Sequence, residues 1–213
     1  MRLLTLAAAM ACAALIGVGE ANAQRNAARL GDIQITSLAI DVSPEHSEFE
    51  VIDARMDETA TAAVFFGMIG AVVNSADNNI EDQQKAEPLV PTAESIDLDT
   101  LITQALTERL ASRNAVPLAE SADGASNTLL VEIGEWGLIR RSQRPDTTMR
   151  AFLKLNVSVL DARGRRVFGP ERQHSIGQMT AELSDFTPEA FRAEMEALAV
   201  RAGQQVANTV IYR

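Results

Sequence analysis

From Leu153 to Val159 every second residue is a branched aliphatic (Leu153, Leu155, Val157, Val159), and Lys154, Asn156 and Ser158 stand between them. A period of two puts the aliphatic set on one side of a β-strand and the polar set on the other. Such a strand cannot stand alone. It must bury one side against another layer and can leave the other side wet, as antiparallel sheets do.

The neighbouring segments supply that layer. "NTLLVEIGEWGLI" precedes the alternating run and "RRVFGPERQHSIGQM" follows it, across "RRSQRPDTT" and "DARG". The tight Asp161–Gly164 connection is a hairpin signal, with glycine supplying the positive φ that such turns need. In "LDTLITQALTERLASRN", Leu98, Leu101, Ile102, Ala105, Leu106 and Leu110 fall on one stripe of a helix, with Asp97 as N-cap and Asn114 suited to a left-handed end. A second helix starts at Thr187 and Pro188 and carries Phe191, Met195, Leu198, Ala202 and Val206. Upstream, "DIQITSLAIDV" reads as a first strand with a bulge near Ser37, and "FEVIDA" as a short partner. Pro117 marks "AVPLAES" as an edge or strand start. Trp136 is expected on one side with Leu130 and Leu138, packed under a helix, and Tyr212 as a helix-end contact. The fold class is therefore α+β: a mostly antiparallel four- to five-stranded sheet packed against two amphipathic helices, with a helical apolar insert after the first strand.

The N-terminus bounds the compartment. Arg2, the apolar run from Leu3 to about Val18 and the small residues Ala21 and Ala23 form a secretory signal peptide (1-23), cleaved after Ala23. The product is expected to be periplasmic. Cleavage before Cys12 with lipid attachment is the rival, opposed by the greasy "AALIGVG" that follows the cysteine. Residues 24-213, about 190 in number, suit a single domain with an insert at about 57-91. They contain no cysteine, which excludes disulfides and thiol chemistry.

Charge removes further classes. A formal net charge of −10 with 4% aromatic residues repels phosphate backbones, so nucleic acid is not an expected partner. His46 and His174 lack metal-ligand spacing to any His or Cys, and no phosphate-cradling glycine loop or nucleophile elbow is present. No catalytic, cofactor or metal residues are assigned, and the chain is read as not an enzyme.

The insert holds the clearest contact candidate. From Ala60 to Val73 only Thr61 interrupts "ATAAVFFGMIGAVV", about 21 Å if helical. That is short of the roughly 30 Å core of a bilayer. Asp77, Glu81 and Asp82 follow closely. Three readings stay open: a buried helix, a mobile segment, or an exposed helix whose Phe65, Phe66, Met68, Ile69, Val72 and Val73 dock onto a partner, a second copy or a membrane surface. Arg140, Arg141 and Arg144 at one connection and Arg163, Arg165 and Arg166 at the next are candidate anion contacts. Successive hairpin turns lie at opposite ends of a sheet, so the two groups are expected to stay apart, each a solvated rim or an anion contact.

The helix "LDTLITQALTERLASRNAVPLAES", the strand "NTLLVEIGEWGLI" and the hairpin "LKLNVSVLDARGRRVFGPE" together resemble a group of small bacterial envelope proteins. That group includes the curli secretion channel lipoprotein and the penicillin-binding-protein activator lipoprotein. The resemblance covers roughly Leu98 to Gln178 and implies a non-enzymatic domain that binds another envelope protein or self-associates. The insert has no counterpart in it. Two other functions fit the residues: a carrier of a small apolar ligand or lipid, marked by an apolar cavity, and an envelope-polymer hydrolase, marked by paired carboxylates in a cleft.

Overall fold

Two strands, a block of helix, a strand meander and a long C-terminal helix succeed one another in the computed structural model, which describes residues 30–44, 49–53, 84–140 and 148–212. The strands are β1 (Leu38–Pro44), β2 (Phe49–Asp53), β3 (Asn127–Arg140), β4 (Thr148–Asp161), β5 (Arg166–Ile176) and β6 (Ala181–Glu182). Three α-helices lie wholly within the described residues: α1 (Val90–Glu94), α2 (Leu98–Ser112) and α3 (Pro188–Ile211).

The six-stranded sheet has the order β1-β3-β4-β5. β1 and β2 divide one edge of β3, β1 against Asn127 to Ile133 and β2 against Trp136 to Arg140. Both run parallel to β3, whereas β3–β4, β4–β5 and β4–β6 are antiparallel. The sheet is therefore mixed, with two parallel pairings beside three antiparallel ones, and it has six strands where four to five were expected. The chain between β2 and β3 passes through α1 and α2, and a long crossover of that kind returns a strand parallel to the one it left.

Most local expectations correspond to observed elements. The Asp97 carboxylate accepts from Thr100 N–H at 3.3 Å, and Asn114 ends α2 at φ 47°. Thr187 Oγ1 accepts from Ala190 N–H at 3.2 Å at the start of α3. Gly164 takes φ 73° in the β4–β5 turn, where its N–H donates to the Asp161 carbonyl at 2.8 Å. Leu118 bridges Leu38 from outside β1, so the Pro117 segment lies at the sheet edge.

Three expectations change. The first strand begins at Leu38 rather than Asp32, because Ser126 replaces the ladder before it. Thr36 and Ser37 N–H donate to Ser126 Oγ at 3.1 and 3.0 Å, and that hydroxyl donates to the Ser37 carbonyl at 2.8 Å. Secondly, Leu130 does not share a side with Trp136, since the β3–β4 register slips between Ile133 and Trp136. Leu129, Val131 and Ile133 face the helices before the slip, and Trp136 and Leu138 after it. Thirdly, Tyr212 ends α3 through its N–H, which donates to the Asn208 carbonyl at 3.0 Å, but its side chain is 70% exposed.

Both long helices cover one side of the sheet. Ile102, Leu106 and Leu110 of α2 and Phe191, Met195, Leu198 and Val206 of α3 join the helix-facing rows of β3 and β4 in one core. Fully burying each such side chain stabilises by about 1.5–3 kcal/mol. Of the insert expected at about 57-91, only residues 84–91 are described, and they lead through a 3-10 turn at Glu87–Leu89 into α1. Phe65, Phe66, Met68, Ile69, Val72 and Val73 lie outside the described residues. Among the described residues no helix is long and apolar enough to cross a membrane.

Candidate functional site

The side of the sheet turned away from α2 and α3 should be polar by the logic of a half-wet sheet, and near one end it is not. Strand alternation sets Arg150, Phe152, Lys154, Asn156 and Ser158 of β4 on this far side. Register places Ile176 opposite Phe152 and His174 opposite Lys154 on β5, and Ile139 opposite Arg150 on β3. Phe152 is 1% exposed and Ile139 6%. Together with Lys154, His174 and Ile176, and with Leu153 and Ser175 between them, they line a cavity of about 310 Å³. That volume lies at the small end of the roughly 300–1,000 Å³ range of small-molecule sites.

Lys154 occupies the middle of the arrangement. Its ammonium lies 5.8 Å from the centre of the Phe152 ring, within cation–π range, and forms an ion pair with Glu135 of β3. The register slip on β3 places Glu135 between Ile133 and Trp136, beside this lysine. Among the described residues the lining carries no carboxylate, and its Ser175 hydroxyl is 3.4 Å from Gln205 Oε1 on α3. Apolar walls with a cation suit binding.

The arginines noted in the sequence occupy different surroundings. Arg140 is 5% exposed at the end of β3, flanked by β2 and β4, so it is no part of a solvated rim. Arg141 and Arg144 lie outside the described residues. Arg163, Arg165 and Arg166 are exposed at the β4–β5 turn, at the other end of β4 from the cavity. Arg165 is engaged there: its Nε and a terminal nitrogen donate to Asp161 Oδ2 at 2.8 and 2.6 Å. Those bonds, with the Arg165 and Arg163 backbone N–H groups on Oδ1, hold the Asp161 carboxyl below its usual range.

A carboxylate pair stands at the start of α2. Asp97 is held low chiefly by its hydrogen bond with Asp99, and Asp99 is raised chiefly by the same bond. Asp97 is exposed and serves as the helix cap, which gives the pair a structural role. Among the described residues no group of three or more His, Cys, Asp or Glu side chains is placed to hold a metal ion. His46 lies outside the described residues, and His174 is an exposed residue of the cavity lining.

No protein-family model matches the sequence, and no curated protein matches it. Solved structures similar to this one include a minor lipoprotein from Acinetobacter baumannii, at 8% identity over 83% of this chain and 93% of that one, with a TM-score of 0.44. A Xanthomonas campestris protein of the DUF330 family is similar at 13% identity over 84% of this chain and 85% of that one, TM-score 0.41. The rare lipoprotein B from Shewanella oneidensis is similar at 18% identity over 56% of this chain and 85% of that one, TM-score 0.36. With TM-scores below 0.5, these likenesses leave the reading of the site to the residues themselves.

Proposed function

We propose that this chain is a non-enzymatic, exported envelope protein whose α+β domain is a binding module, with the far side of the sheet as its contact surface. The observation that carries this reading is the pair Phe152 and Ile139. Both lie on the side of the sheet away from the helices and line a cavity there, and the side chains that stay exposed around it are Arg150, Arg172 and His174. A sheet that needed only one core would place polar side chains there. The signal-peptide pattern before Gln24 supports export to the periplasm, and the resemblance over Leu98 to Gln178 points the same way. The partner is an envelope protein or a second copy, with the apolar run from Ala60 to Val73 as a further contact. The cavity favours a second reading, a carrier of a small ligand.

Site-specific photo-crosslinking in cells tests the module. A crosslinker at Arg172, exposed on the far side of β5, is expected to capture one defined envelope component or a second copy of the chain. A crosslinker at Phe66 reports on the apolar run in the same way. Only intramolecular products from Arg172 would overturn the far side as a contact surface. An intact mass beginning at Gln24 supports cleavage after Ala23, and a lipid-bearing mass beginning at Cys12 overturns it.

A further inference from the structure

Charge on the far side of the sheet is sorted by strand. Alternation and register place Asp41 of β1, Glu50 of β2 and Glu132 and Glu135 of β3 there, and among the described residues these strands add no base to it. β5 adds Arg172 and His174, both exposed, and no acid. β4 runs between the two groups, and its Lys154 is neutralised by Glu135. Beyond the hollow, Glu182 of β6 stands opposite Thr148. Glu132 and Arg172 flank Asn156 in a single row, two strand spacings or about 10 Å apart. A face with acids on one flank and bases on the other is complementary to itself when turned over about its own midline.

From this arrangement we infer that the far side pairs with the far side of a second copy of this chain, across a two-fold axis that runs along β4. Two sheets facing each other in this way pack about 10 Å apart and lay β3 of each copy over β5 of the other. Glu132 of one copy then meets Arg172 of the other, and the axis repeats the pair. Arg172 is also engaged within its own chain, and a guanidinium carries enough N–H donors to serve a second carboxylate. Lys154 lies near the axis, where its pairing with Glu135 removes the repulsion between copies. A uniformly acidic or basic partner would match one flank and be repelled by the other. A second copy supplies the divided pattern. The inference rests on the far side being the contact surface and names its partner.

Sedimentation velocity of the exported chain at low ionic strength is expected to show a monomer–dimer equilibrium that weakens as salt is added. Glu132→Arg and Arg172→Glu each set like charges against one another at both symmetry-related pairs. Each should weaken the dimer by about tenfold or more, the equivalent of about 1.4 kcal/mol. An equimolar mixture of the two variants should associate again, because both pairs across the axis are then opposite in sign. Recovery on mixing also shows that neither variant has lost its fold. A parent chain that stays monomeric at about 100 μM would overturn the inference. So would a dimer indifferent to both substitutions, or two weakened variants that fail to associate when mixed. Capture of a different envelope protein from Arg172, and of no second copy, would leave the binding-module reading standing without this partner, whereas only intramolecular products would remove both.

Discussion

Gly203 of α3 lies directly on Ile102 of α2: a Cβ built at the glycine would sit 2.7 Å from the Ile102 carbonyl oxygen and 3.1 Å from Ala105 Cβ. Glycine inside a helix costs about 1 kcal/mol relative to alanine. Here close approach of the two backbones explains its presence. Gly203→Ala should therefore lower stability by about 1–3 kcal/mol, the range for overpacking, despite its better helix propensity. Urea unfolding of the exported chain measures the difference, and a stabilised variant would contradict the packing described.

Phe49 links the sheet edge to α3 through two edge-on ring contacts, 5.9 Å to Trp136 and 5.3 Å to Phe191 between centroids. Phe191 is fully buried. Phe191→Ala should cost about 3–5 kcal/mol through the cavity it leaves. Trp136 is the sole tryptophan, so its fluorescence reports this region directly. Phe49→Leu is expected to alter the emission of the folded state at a smaller loss of stability.

The β4–β5 turn carries a pH dependence of definite sign. Asp161 is held below its ordinary pKa chiefly by the Arg165 side chain, then by backbone donors. A lowered folded-state pKa means that its contribution is present above about pH 4, the unfolded value, and is lost as pH falls through the folded one. Asp161→Asn should lower stability at pH 7, and the gap from the parent chain should narrow steadily on acidification below pH 4. Asp99 has the opposite sign. Its raised pKa penalises the ionised form in the folded state, so Asp99→Asn should raise stability at neutral pH. Denaturation series across pH 2.5–7 on the three chains follow both trends.

What could be read in advance follows from where the information lies. Alternation in β4 and the stripes of α2 and α3 are local, so the core rows and both caps were legible. Parallel pairing of β1 and β2 with β3 depends on the handed path of the α1–α2 crossover, which no local pattern encodes. The slip after Ile133 was also hidden, although Gly134 within a strand pattern is the residue that hints at a bulge. The far-side cavity escaped for a related reason. Phe152 belongs by parity to the polar row of β4, and an aromatic residue in that row was the available signal. Ile139 and Ile176 join it only through register across three strands.

The slip on β3 gives a direct test of which side each residue occupies. Leu129 is fully buried against the helices, whereas Leu130, one residue on, lies on the far side and is only half-buried. Leu129→Ala should cost about 2–5 kcal/mol, as truncations of well-packed core leucines do. Leu130→Ala should cost clearly less, because it opens no cavity beneath the helices. The unslipped pattern would instead place Leu130 with Trp136 and Leu138 and reverse the order. If Leu130→Ala proved the more damaging of the two, the register between Ile133 and Trp136 would be wrong. Ile139 would keep its place on the far side, because it alternates with Leu138 beyond the slip.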